Sequence, residues 1–365
     1  MRALRSLFVV LAVALSVAFA PPCGAVDNAA DNGITVATSP PEGTVGTTEG
    51  RASPWAALPP SPVAVSRPAG AVVGGRFFVI GGEESGGARN GYVQAYDPIS
   101  NTWTNTRMPM PTGVSNLCAG VINDKVYVPG GFTGSSGLTD LQIYDPGLDS
   151  WTVDATDPMP SARFGNACTE YNGKLYVFGG NDGAVTTNTT YIYDPLGSDG
   201  NRWTTGASAP FTGQYGAAIA AGAHVFYAGL YEAGDTADVM RYDPALDSWT
   251  LLPSLTTARG GAQMWTFEGN LVVGGGGWGT YLTSTEVYDL SSGIGGSWSP
   301  GNALVTGRRT FAGAQDDVNS LIYAGCGWAG AFVDAADIAS FIGADLIFAD
   351  GFESGNTNPW SATSP

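Results

Sequence analysis

Lysine occurs twice in this chain of 365 residues, at Lys125 and Lys174, and histidine once, at His224. A single histidine excludes any site that needs two, such as an H-E-x-x-H zinc helix. A Ser-His-Asp set would have to rest on His224, which stands at the turn into an apolar run. No Gly-Lys-Ser/Thr phosphate loop occurs, and the glycine-rich Gly274–Gly277 is followed by no helical pattern. Positive charge is scarce, with 15 Lys and Arg against 32 Asp and Glu and a net charge of −17. Such a surface repels nucleic-acid phosphates and anionic bilayers, so neither is expected as a partner. Long apolar runs are nearly absent. The one at Leu7–Ala20 has 14 residues, short of the roughly 20 that a helical membrane span takes. Cysteine is limited to Cys23, Cys118, Cys168 and Cys326, without metal-site spacing.

What the chain does have is repetition. Lys174-Leu-Tyr-Val-Phe178 ends at Gly179-Gly180. A polar loop follows, then Tyr191-Ile-Tyr193, Asp194-Pro195 and Trp203. Short β-branched and aromatic runs bounded by Gly, Pro, Asn and Asp read as strands joined by turns. The double glycine recurs at Gly81-Gly82, Gly130-Gly131 and within Gly274–Gly277, with degenerate copies at Gly229-Leu230 and Gly325-Cys326. Tyr-Asp pairs stand at Tyr96, Tyr144, Tyr193, Tyr242 and Tyr288, successively 48, 49, 49 and 46 residues apart. A tryptophan closes each unit: Trp103, Trp151, Trp203, Trp249 and Trp298. A period near 50 with about four short strands is that of a propeller blade.

In this order (apolar strand, Gly-Gly, loop, Tyr-Asp, Trp) the pattern resembles the kelch family over roughly residues 53–343. The resemblance implies an all-β, six-bladed propeller over 51–343, with four-stranded antiparallel blades. The sixth unit lacks a closing Trp, whereas Trp55 with Leu58-Pro59 looks like the closing end of a unit with no beginning. The N-terminal strand around Trp55 is therefore expected to complete the last blade, which removes exposed sheet edges. Some kelch proteins resemble galactose oxidase, whose copper needs two histidines; one histidine cannot supply them.

Around this domain, Arg2 and Arg5 before the apolar run read as a secretory signal peptide over 1–25. Its loss would bring the charge to −19. Residues 26–50, rich in Thr, Gly and Pro, read as a flexible spacer. The tail, 344–365, carries Asp350-Gly-Phe-Glu-Ser-Gly355 and then Trp360-Ser361, similar to a motif at the ends of exported Gram-negative proteins. Export to the periplasm, cell surface or medium is the expectation. Cys118 and Cys168 sit at matching points of neighbouring repeats. Export allows a disulfide, but equivalent inner-strand positions can lie beyond the Cα separation of about 7 Å that one tolerates; buried thiols are the first expectation and the disulfide state stays open.

No catalytic set, cofactor or metal site emerges. Two sets of candidate ligand-binding residues do. Arg67, Arg163, Arg259 and Arg309 are read as one repeat position just before the inner strand, near a mouth of the channel, where guanidinium groups could hold a carboxylate. Phe132, Tyr231, Trp278 and Trp328 begin loops after the double glycines, with Tyr281 nearby; aromatics on loops of a rigid scaffold suit sugars or protein partners. The expected function is a monomeric binding module for a protein or a glycan. The alternatives are a sugar isomerase resembling sialic-acid mutarotase, with Glu83, Glu84 or Glu232 moving protons, and a structural cell-envelope protein.

Overall fold

The computed structural model describes residues 55–340. The expected signal peptide, spacer and C-terminal motif lie outside the described residues. Within them the chain forms six four-stranded antiparallel sheets. In the third, strands Ala167–Tyr171, Lys174–Phe178, Thr190–Tyr193 and Trp203–Gly206 follow one another as neighbours. Each first strand lies against those of the blades on either side, and the sixth returns to the first. The result is a closed six-bladed β-propeller.

The sixth blade closes as the sequence implied. Its strands Ala312–Asp316, Leu321–Gly325 and Ala336–Ser340 are joined by Ala56–Leu58 from the other end of the domain. The pairing is antiparallel, with Ala56 opposite Ile338 and Leu58 opposite Ala336. Trp55 is buried and meets Trp265 of blade five at 5.3 Å.

Each repeat residue has a mechanical role. The blade-closing tryptophans donate Nε1–H to carbonyls just past the outer strand of the preceding blade: Trp103 to Pro59, Trp151 to Met108, Trp203 to Asp157, Trp249 to Ala207 and Trp298 to Pro253, at 2.8–2.9 Å. The Asp of each Tyr-Asp pair accepts amide N–H groups two or three residues on, as Asp145 does from Gly147 and Leu148, which sets the turn. The second glycine of a pair donates across the blade interface, Gly82 to Val114, Gly131 to Arg163, Gly180 to Gly213 and Gly276 to Arg308. A Cβ on Gly180 (φ 82°) would lie 2.9 Å from the Phe164 oxygen and the Asn166 nitrogen, so backbone of the same blade reserves this position for glycine. In blade six the pair is shifted by one. Gly325 ends the strand, and Cys326 and Gly327 carry the positive φ, with Gly327 donating to Val65.

The cysteine expectation is corrected. Cys118 and Cys168 form a disulfide with a Cα separation of 5.6 Å, joining blades two and three; Cys326 is free and buried. The cysteines are not equivalent. Measured from the positive-φ residue that precedes each inner strand, Asn116 and Gly165, they lie two and three positions on. Successive strand side chains point to opposite faces, so a stagger of one turns the two thiols toward each other where the inner strands converge.

Candidate binding face around the channel mouth

Six residues, one per blade, surround the axis with left-handed backbone: Arg67 (φ 61°), Asn116 (60°), Gly165 (64°), Tyr215 (57°), Gly261 (72°) and Thr310 (46°). The conformation aims their main chain round the ring. Arg67 donates to Thr310, Thr310 to Gly261, Gly261 to Tyr215, Tyr215 to Gly165 and Gly165 to Asn116, while Leu117 donates to Arg67. A closed circuit of interblade hydrogen bonds thus fixes the rim. Inside it the channel is narrow, with room for about two water molecules. Arg67 Nε, Asn116 Oδ1 and Asn166 Oδ1 border this space without a protein partner, a setting suited to ordered water.

This ring corrects the register of the arginines. Arg67 is a ring residue, Arg309 stands one before the ring, and Arg163, Arg259 and Arg308 stand two before it. The true repeat set is therefore Arg163, Arg259 and Arg308, all buried. Arg259 bonds to the Gly275 and Ser284 carbonyls and to Glu286 (2.8 Å), and Arg308 to the Ala335 carbonyl and Asp337 (2.8 Å). Arg163 bonds to Ser161, the Ala162 carbonyl, Thr189 and Tyr191. These three brace their own blades and do not reach the mouth. The adjacent pair Arg308-Arg309 let either residue be matched to Arg259, and only the backbone shows which one fits.

Arg67 and Arg309 do reach the mouth. Arg67 Nη1 donates to Glu83 at 3.1 Å, and Arg89 shares the same carboxylate at 2.9 Å. Arg309 lies 4.0 Å above the Trp278 ring and 5.5 Å from Tyr281, and donates to the Trp278 carbonyl at 2.7 Å. Burial pushes its pKa down, and the charge of Arg67 pushes the same way. Burial raises Tyr215, opposed by the Arg67 charge beside it.

The aromatic candidates gather on this face in three groups. Trp278 packs against Tyr231 (4.3 Å) and Tyr215 (5.1 Å). Trp328 donates Nε1–H to the Tyr281 hydroxyl at 3.1 Å and meets Phe332 edge-on at 5.0 Å. Phe132 packs on Phe164 at 4.9 Å, with the Arg89 guanidinium 5.5 Å from its ring centroid. All are half-buried. Asp235 holds the Trp278 loop from the neighbouring blade, accepting from the Trp278 and Gly260 amides. Tyr215, Phe164, Arg89 and Asp235 escaped the sequence reading. Tyr215 was detectable as a bulky residue where Gly165 and Gly261 stand in other units.

The carboxylates considered for proton transfer are engaged: Glu83 with two guanidinium groups, Glu84 with Asn90, Glu232 with Thr212. His224 fills the position held by Lys125 and Lys174, each paired with the Asp of its own turn. Its Nε2 lies 3.9 Å from Asp243, and burial followed by Arg241 lowers its pKa. It opens its strand in place of a lysine.

Comparison with known proteins bears on the repeats. The kelch motif model matches residues 64–106, 113–156 and 162–210, the first three units of the ring. The chain is a kelch-repeat propeller. Among curated proteins it is similar to Kelch-like protein 35 of Mus musculus, 38% identical over 97 residues covering 27% of this chain and 16% of that protein. It is also similar to Kelch-like protein 34 of Homo sapiens, 38% identical over 99 residues covering 26% and 14%. The matches thus span less than a fifth of these relatives. The solved structure of YjhT aligns over 77% of this chain and 96% of that one, with a TM-score of 0.64 and 17% identity, a likeness of fold.

Proposed function

We propose that this kelch propeller is an interaction module that holds a protein partner on the face around the channel mouth. The observation carrying this reading is the gathering of Phe132, Phe164, Tyr215, Tyr231, Trp278 and Trp328 on one rim fixed by the interblade circuit. Half-buried aromatics on a preorganised frame are the composition of protein-binding hot spots. The axial cavity supports a surface mode of binding, since room for about two waters is far below the few hundred Å3 of a typical small-molecule site. A glycan is the weaker fit because Tyr231, Trp278 and Tyr215 spend ring faces on one another. The isomerase reading loses Arg163 to the blade interior. The Cys118–Cys168 disulfide supports an oxidising compartment, in keeping with export.

The test is a pair of double substitutions. Tyr231→Ser with Trp328→Ser should abolish co-purification of the partner at unchanged fold. Leu148→Ser with Leu246→Ser, exposed on turns at the opposite strand ends, should leave it intact. The reverse pattern would overturn the reading.

A further inference from the structure

Arg309 differs from the other arginines of the rim. Arg67 and Arg89 share the single carboxylate of Glu83, whereas no ion pair among the described residues includes Arg309. Of its five N–H donors, an Nη1–H bonds to the Trp278 carbonyl. The guanidinium lies 4.0 Å from the Trp278 ring centroid and 5.5 Å from that of Tyr281, whose hydroxyl accepts from the Trp328 indole. The acidic groups around it are committed elsewhere: Asp235 to the Trp278 and Gly260 amides, Glu83 to Arg67 and Arg89. Burial disfavours its charge, and Arg67 adds to that against the opposing influence of Tyr281 and Asp235. In a chain of net charge −17, a guanidinium at the mouth thus has no counter-charge in contact, and the Arg67 segment lies beside it through the Arg67 amide bond to the Thr310 carbonyl.

Resting on the loop-face reading, we propose that the partner is anchored by a carboxylate that enters the mouth and is held by Arg309, with Arg67 as its second cation. A planar fork already stacked on an aromatic loses little freedom on binding, so the carboxylate meets a prepared, partly desolvated donor edge. An acidic side chain or C-terminus of a protein chain is the source that the surrounding aromatic rim favours. Asp235 acts as a positioning residue, because it sets the Trp278 loop on which Arg309 rests.

The experiment is selection of displayed random peptides on the purified full chain, followed by affinity measurements with wild type, Arg309→Gln and Arg309→Lys. An acidic residue should be fixed in the enriched peptides. Their binding should weaken at least about tenfold in Arg309→Gln, the loss of one charge-assisted bond, with partial rescue in Arg309→Lys and weakening as salt rises. A parallel arm titrates succinate and glucuronate. Binding of these as tight as that of the peptides keeps the carboxylate site and assigns it to a free acid. Enriched peptides without an acidic residue, unchanged affinity in Arg309→Gln, or no binding in either arm would overturn the proposal. If Arg309→Gln retains the partner and the Tyr231/Trp328 double variant loses it, the carboxylate anchor alone has failed.

Discussion

A left-handed backbone costs an L-residue with a Cβ roughly 1–2 kcal/mol, and the rim places Arg67, Tyr215 and Thr310 there because the interblade circuit requires that geometry. The double glycines meet the same demand with an added steric one. Gly180→Ala is expected to destabilise by more than 2 kcal/mol, combining backbone strain with a clash against Phe164 and Asn166. Gly173→Ala, at φ 75° with nothing within 4 Å of the new Cβ, should cost only about 1 kcal/mol. Denaturant midpoints of the two variants check the difference; equal losses would show that strain alone matters. Asp154 gives a pH test. Burial raises its pKa, but hydrogen bonds from Tyr193, Thr156 and Arg202 outweigh that and hold it at about 2, against about 3.9 unfolded. Its contribution is therefore complete above about pH 4 and is lost as pH falls toward 2. The melting-temperature gap between wild type and Asp154→Asn should be widest near neutrality and shrink through that window. A gap independent of pH would mean that the carboxylate charge contributes nothing.

At the scale of the blade, stability comes from fastening each sheet to the next. Trp203→Phe keeps most of the apolar area and removes the Nε1–H bond to Asp157, so a loss of about 1–2 kcal/mol is expected, read as an earlier denaturant midpoint. The Cys118–Cys168 bond closes a loop with a sequence separation of 50, for which chain entropy gives roughly 4 kcal/mol as an upper figure. Cys118→Ser/Cys168→Ser should melt at a lower temperature than the oxidised wild type, and reductant should bring the two together. Identical melting without reductant would deny the disulfide a stabilising role. Double glycine, Tyr-Asp and Trp were legible in the sequence because each is a local demand that recurs every blade. The disulfide and the arginine register were not. The disulfide and Arg309 turn on a stagger of one residue, which reverses the face of a side chain, and Arg67 stands two residues out of the repeat register, while the motif spacing stays nearly unchanged.

For the whole molecule, closure was legible because the two ends of the repeat were each missing what the other supplies. Trp55 buries its indole against Trp265, so Trp55→Ala should destabilise by roughly 3–5 kcal/mol and hasten proteolysis at the freed edge of blade six; melting unchanged from wild type would show that the ring does not depend on this latch. The mouth was half legible. Its aromatics follow the double glycines in sequence, but Tyr215 and Asp235 arrive from other blades, and two of the four arginines proved to be internal braces. What unites these parts is a rigid disc whose two faces differ: aromatics and guanidinium groups at one end of the channel, and turn tips with single exposed aliphatic residues such as Leu148 and Leu246 at the other. The most direct test places a photo-crosslinking side chain at position 281 on the mouth or at position 246 on the opposite face, in the full chain within its native host. The account predicts a discrete adduct from 281 and none from 246. An adduct from 246 alone would contradict it.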